Sequence, residues 1–243
     1  MSADAPTILA TSGGLRAGHR TRLAFSPLTE HAVELAGVTG RRPRICFLAT
    51  AQGDNPAVLT WLHEAALLRG WTSSHLSLFP MPNLPDPEAH LLEQDVVWVM
   101  GGSVVGLLAL WRLHGLDAAL TAAWRAGVVL TGVSAGSICW HVGGTTDSYG
   151  PELRPVTDGL GLLPYANGVH HDSEPQRRPL FHSLVARGTL PAGYATDDGV
   201  GLVYRGTELV EAVAEDDGGA YRVEAVGGGI AYETRLGVRR LPS

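Results

Sequence analysis

Short apolar runs at residues 7–10, 44–49, 75–79, 95–100 and 128–133 punctuate the first two-thirds of the chain. Each is bounded by Gly, Pro or polar residues, the pattern of strands buried on both faces. Between them, apolar positions recur at helical spacing over residues 28–36, 56–69, 87–93, 104–113 and 117–126. Gly70, Gly115 and Gly127 each follow one of these stretches, where a helix end calls for φ > 0. Asp86-Pro87 has the form of a helix start, with the acid at the cap and Pro in the first turn. Strand–helix alternation with near-continuous apolar strands predicts an α/β fold, a mainly parallel sheet flanked by helices.

Beyond Gly193 the pattern changes. Residues 199–204, 209–214 and 220–226 read as strands of an antiparallel, hairpin-rich C-terminal extension, with Asp216-Asp217-Gly218-Gly219 as a turn between two of them. No linker or low-complexity stretch marks a boundary, so residues 1–243 are expected to form a single domain.

Composition narrows the function classes. A chain of 243 residues that is 45% hydrophobic carries enough apolar material for one sizeable core. The formal net charge of −6 and the lack of any long basic run argue against nucleic-acid partners. No apolar stretch approaches the roughly 20 residues of a membrane span, and the N-terminus lacks the basic and apolar regions of a signal peptide. A cytoplasmic protein without membrane partners is the expectation. Cys46 and Cys139 sit in apolar contexts and read as small buried hydrophobes, not as a disulfide or metal ligands.

The candidate chemistry centres on Gly132-Val133-Ser134-Ala135-Gly136, a Gly-x-Ser-x-Gly pentapeptide between an apolar strand and a plausible helix at residues 137–141. A sharp strand-to-helix turn exposes the serine at its apex, and flanking glycines remove clashing Cβ atoms. The helix N-terminus points free N–H groups and a positive dipole end at the same place. The plainer alternative is that Ser134 only caps that helix. A nucleophilic serine needs a base, and the base an orienting group. Of ten histidines, only His141, His170, His171 and His182 follow the serine. His141 is expected two helical turns away and pointing elsewhere, and His182 falls mid-helix at residues 178–187. The polar cluster His170-His171-Asp172 follows an irregular Gly/Pro-containing stretch, where catalytic loops tend to lie. Adjacent histidines in an extended segment face opposite sides, and no further ligand with useful spacing is evident, so no metal is expected. Asp197-Asp198-Gly199 supplies the best downstream acid, its bland reading being an ordinary turn.

At this point the chain resembles the peptidase E (aspartyl dipeptidase) group of serine peptidases, which includes the cyanophycinases. The segments that carry the likeness run from about residue 44 to 204. They are Val99-Met100-Gly101-Gly102-Ser103, the stretch 107–117, the stretch 123–140 around Ser134, and Thr145-Thr146-Asp147-Ser148. Further on come Gly159-Leu160-Gly161-Leu162-Leu163-Pro164, His170-His171-Asp172-Ser173-Glu174 with Gln176-Arg177-Arg178, and Leu190-Pro191-Ala192-Gly193-Tyr194 with Asp198-Gly199. The resemblance implies a fold like class I glutamine amidotransferases (flavodoxin-like) and a cofactor-independent activity on short peptides, with Asp-X dipeptides as a candidate substrate class. It puts the nucleophile at Ser134, the base at His170 and the third triad member at Asp198. Backbone N–H groups of Gly102 and Ala135 fall at the oxyanion positions. Arg177 falls in the family's Gln-Arg element, where a guanidinium suits a substrate carboxylate; a surface helix-start arginine is the alternative. Asp147 matches a family acid downstream of the nucleophile. Two departures stand out: Asp198 replaces the usual Glu, and Ser103 the usual Asn. A competing enzyme reading is an α/β-hydrolase esterase using Ser134, Asp147 or Asp158, and His182. A catalytically silent binding protein on the same fold is the third. The small-peptide partner leaves a monomer or a homodimer equally open.

Overall fold

The computed structural model describes residues 3–242. Met1, Ser2 and Ser243, the first two belonging to the N-terminal segment read above for a leader, lie outside the described residues. In chain order the elements begin with β1 (Thr7–Thr11), β2 (Leu15–Ala17), β3 (Leu23–Phe25), α1 (Pro27–Leu35) and β4 (Arg44–Leu48). Then follow α2 (Pro56–Leu68), β5 (Thr72–His75), α3 (Pro87–Leu92), β6 (Val96–Val99), α4 (Val104–Leu113), α5 (Leu116–Arg125) and β7 (Val129–Val133). After α6 (Ala135–Ile138) come β8 (His141–Thr146), β9 (Arg154–Val156), β10 (Leu163–Gly168), α7 (Arg177–Ala186) and β11 (Gly193–Thr196). The chain closes with β12 (Val200–Arg205), β13 (Glu208–Ala214), β14 (Ala220–Gly227), β15 (Ile230–Arg235) and β16 (Arg239–Arg240).

Two large sheets organise these elements. The first has eight strands in the order β16-β13-β12-β1-β7-β6-β4-β5. Its β1, β7, β6, β4 and β5 are parallel neighbours, while β12 and β13 add antiparallel at one side. Alternate residues of these strands enter two separate cores: Phe47, Trp98 and Val129 on the face shared with α2, and Leu48, Val97, Val99 and Leu130 on the opposite face. Burial on both faces explains why the strands read as unbroken apolar runs. Cys46 and Cys139 are free and buried, as their contexts predicted, and burial pushes the Cys46 thiol up to about 12.

The second sheet, in the order β15-β14-β11-β10-β8-β9, differs from expectation. The Gly/Pro-containing stretch before His170, read as irregular, holds, joined by loops, three of its strands, β8, β9 and β10. Their glycines hide them. A Cβ on Gly143 would stand 2.1 Å from the Val156 carbonyl oxygen, and one on Gly144 2.3 Å from that of Asn167. Neighbouring backbones thus exclude the β-branched side chains by which strands are usually recognised. Asp216–Gly219 is likewise no hairpin turn, because β13 and β14 belong to different sheets. The strand expected at residues 75–79 lies earlier, at Thr72–His75. It is an edge strand of polar residues, and beyond it the Leu78 and Phe79 amides leave the ladder to donate to Asp54 Oδ2 at 2.5 and 3.1 Å. The Leu76 N–H still donates to the Phe47 carbonyl of β4 at 3.0 Å, and Leu76 and Leu78 are both buried. No single helix among the described residues is long and apolar enough to cross a membrane.

The helix expected to reach residue 141 stops after one turn, and His141 opens β8 instead. Its ring is fully buried, with Nδ1 2.9 Å from the Ser137 carbonyl oxygen. Burial pushes this imidazole from 6.5 down to about 4, partly offset by that bond. The native state therefore keeps His141 neutral where the unfolded chain takes up a proton. The stability it contributes is complete above pH 6.5 and lost as pH falls towards 4, about 3 kcal/mol in all. Urea unfolding across that window is expected to show this loss, and His141→Gln to remove it from the pH dependence.

Candidate active site

Ser134 follows β7 directly and precedes α6, as the pentapeptide predicts. Its backbone has φ 57° and ψ −110°, a strained conformation for a residue with a Cβ. Gly132 and Gly136 allow the turn to close against β6. A Cβ on Gly136 would lie 2.3 Å from the Val99 carbonyl oxygen, and one on Gly132 2.6 Å from the same atom. Because both obstacles are backbone, neither clash is relieved by a side-chain rotation. Gly136→Ala is accordingly expected to destabilise by about 3 kcal/mol, read as a lower urea midpoint. An unchanged midpoint would contradict the tight elbow.

Ser134 occupies the cap position of α6, yet its side chain makes no capping hydrogen bond. The hydroxyl is therefore not consumed by the plainer role the sequence allowed. Since α6 is a single turn, the macrodipole argument loses most of its force. What remains is the Ala135 N–H, which at a helix start has no intrahelical acceptor. The Gly101–Gly102 loop after β6 comes close to the same place: a Cβ on Gly101 would stand 3.3 Å from Ser134 Cβ. Gly102 has φ 138° and lies against Ala51, whose carbonyl oxygen would meet a Cβ at 2.4 Å. Ser103 caps α4 by accepting from the Gly106 N–H at 3.1 Å. Serine and asparagine are both good caps, so that departure from the family pattern is structurally conservative.

The remaining residues arrive on other loops, each at the carboxyl end of a strand. His170 follows β10, and Asp198 lies in the turn joining β11 of one sheet to β12 of the other. In open α/β folds such loops converge on one crevice because parallel strands end on the same side. The dipeptide Thr11-Ser12, at the end of β1, ties them together. Thr11 O accepts the Ser134 N–H at 3.0 Å, Ser12 Oγ accepts the His170 N–H at 3.2 Å, and Ser12 O accepts the Gly199 N–H at 3.0 Å. Sequence reasoning did not single out Ser12; its signal is a strand end followed at once by Gly13-Gly14.

His170 Nδ1 lies 2.5 Å from Asp198 Oδ1, and the Asp198 N–H donates to Asp172 Oδ1 at 2.9 Å. The shorter acid thus reaches the imidazole. With Nδ1–H donating to the carboxylate, the Nε2 lone pair is left to accept a proton. His170 also has a left-handed backbone, φ 54°, one of three such non-glycine residues among the described residues, with Ser134 and Asp54. Two of the three belong to this constellation.

Other expected residues are employed differently. Arg177 is buried; its Nε donates to Glu174 Oε2 at 2.7 Å and an Nη to the Thr145 carbonyl at 2.6 Å. It pins the start of α7 to β8, and this burial does not fit a grip on a substrate carboxylate. Asp147 is exposed in the turn after β8. The esterase alternative is not assembled: Asp158 pairs with Arg112, and His182 Nε2 meets Glu233 Oε2 at 2.8 Å. A large cavity of about 860 Å³ lies apart from all these residues, between the β2–β3 hairpin and α2, lined by Arg16, His19, Arg20 and Arg69 among others. Concavity alone would have pointed away from the serine.

Comparison with known proteins agrees with the architecture. The chain shares 42% identity over 183 residues, 75% of its length and 78% of the relative's, with the uncharacterized peptidase YgaJ of Bacillus subtilis (strain 168). A peptidase from an acI-B1 Actinobacterium superposes with TM-score 0.67 at 16% identity, covering 96% of this chain and 95% of that one. A putative peptidase E protein from Listeria monocytogenes EGD-e gives 0.58 at 16% identity, covering 95% and 98%. Both likenesses concern the fold. Residues 8–212 match the profile of Peptidase family S51, and the chain belongs to that family of peptidases.

Proposed function

We propose that the protein is a serine peptidase acting on short peptides through Ser134, His170 and Asp198. The observation that carries this reading is the shared anchoring of the strained Ser134 and His170 on Thr11-Ser12, with His170 held by Asp198. Strain of this kind persists where a function requires it. His170 Nε2 takes the Ser134 hydroxyl proton as Oγ attacks the scissile carbonyl. The Gly102 and Ala135 N–H groups receive the oxyanion, and the imidazolium, stabilised by Asp198, protonates the leaving amine. Water, deprotonated by the same imidazole, then hydrolyses the acyl-enzyme.

Asp-X dipeptides are the specificity that family resemblance implies, with Asp198 in place of Glu reshaping the loop beside them. Labelling with a fluorophosphonate probe, followed by turnover of a dipeptide panel, tests both levels. Wild-type protein is expected to be labelled at Ser134, with labelling lost in Ser134→Ala and strongly slowed in His170→Ala. A folded wild type that resists the probe would favour a silent binding protein. Labelling without preference for N-terminal Asp keeps the serine peptidase and removes the Asp-X assignment.

A further inference from the structure

The second histidine of the His170-His171 pair takes no part in the proposed catalysis, yet it is among the most constrained side chains of the region. His171 is buried, its ring 5.3 Å from that of Tyr221 and edge-on to Phe181. Its Nε2 lies 2.8 Å from Glu233 Oε2 on β15, and His182 Nε2 on α7 lies 2.8 Å from the same oxygen. Two imidazole nitrogens and one carboxylate oxygen, from three separate elements, all fall within 4.8 Å of one another. We propose that His171, His182 and Glu233 bind a divalent transition-metal ion of the zinc class, which clasps the catalytic loop to α7 and β15.

The donor set suits that class: two imidazoles and a carboxylate are ligands of borderline ions, not of magnesium or calcium. Around a tetrahedral zinc with bonds of about 2.0–2.1 Å, ligand atoms stand about 3.3 Å apart. Each imidazole therefore needs to retreat from Glu233 by about half an ångström, and the two imidazole nitrogens, now within 4.8 Å of each other, to settle at the same spacing. The protonation states also suit. Burial pushes His171 below its ordinary value, and the two imidazoles with Arg178 hold the Glu233 carboxyl down against its own burial. The other Glu233 oxygen is held by Arg178, whose guanidinium lies 5.1 Å from the centre of the Tyr221 ring. That fixes the carboxylate while leaving Oε2 directed at the histidines.

A second observation points the same way. His171 Nδ1 and Asp197 Oδ1 are both buried and unpartnered. In the hydrogen-bonded cluster Nε2 carries the His171 proton. An ion on Nε2 requires the other tautomer, in which the buried Nδ1 carries the proton and becomes a donor. Metal-bound histidines use a carboxylate in this outer position. The inference stands on these positions and not on the peptidase reading.

Chelator-treated protein titrated with Co²⁺, and separately with Zn²⁺, tests it. One ion per chain is expected to bind, with visible cobalt bands of a low-coordinate site. A hundredfold excess of Zn²⁺ over Kd is expected to raise Tm by about 5 °C. His182→Ala and Glu233→Gln are expected to weaken binding by more than about tenfold. His63→Ala, which removes a two-histidine contact with His75 elsewhere, should leave it unchanged. Each variant's Tm is measured in chelator, and His182→Gln replaces any that fails to fold. Absence of saturable binding in the wild type, or equal binding in the His182 and Glu233 variants, would leave a hydrogen-bonded cluster and overturn the proposal. So would loss of binding in the His63 variant.

Discussion

Ser134→Ala is expected to lower kcat about 10⁴–10⁶-fold with little change in stability. Only Oγ is removed, and that atom caps nothing. The backbone strain at φ 57° is common to Ser and Ala, so it does not distinguish the two folded states. Ser134→Gly extends the argument: it is equally inactive, but glycine tolerates this conformation and should stabilise the protein by about 1–2 kcal/mol. Steady-state hydrolysis of a peptide substrate, with urea unfolding of the same samples, reads both quantities. Near-normal turnover by the alanine variant would end the serine mechanism. A glycine variant less stable than wild type would mean that the elbow is not strained.

The second large effect is expected at Asp198. Asp198→Asn should lower kcat by about 10⁴-fold, the size of effect seen when an orienting carboxylate becomes an amide in a serine triad. The present contact is 2.5 Å, from Asp198 Oδ1 to His170 Nδ1. An asparagine has no charge to stabilise the imidazolium, and its NH₂ group can donate to Nδ1 and trap the wrong tautomer. Asp198→Glu keeps the charge. Asp198 is half exposed, so a longer side chain has room to bend outward, and this variant should keep far more activity than the amide. If the two lost activity equally, the loop geometry and not the charge would be what matters. If Asp198→Asn remained fully active, the triad would need another acid.

The constellation was unevenly legible beforehand. The serine could be read locally, because a strand, a tight turn and their glycines are contiguous. The acid was harder: Asp198 replaces a longer residue, and its distance to His170 depends on how closely the β11–β12 turn approaches. Anchoring of Gly199 on Ser12 brings that turn in. Arg177 is hard to read for the opposite reason. A guanidinium beside a candidate base fits a substrate carboxylate, but only packing reveals that it is buried and bonded to Thr145 and Glu174. His171 gave no useful ligand spacing because its companions come from α7 and β15, the latter 62 residues away.

What the sequence alone determined is therefore what rests on neighbouring residues. The two-faced burial of β4, β6 and β7 appears as continuous apolar runs, and the elbow at Ser134 appears as Gly-x-Ser-x-Gly. Tertiary structure decided what depends on distance. It turned the glycine-rich stretch before His170 into half of the second sheet, where close backbones exclude side chains. It also brought His170 and Asp198, 28 residues apart in the chain, into contact at the carboxyl ends of parallel strands. Periodicity reports which face of an element is buried, but it carries no information about which strand ends meet.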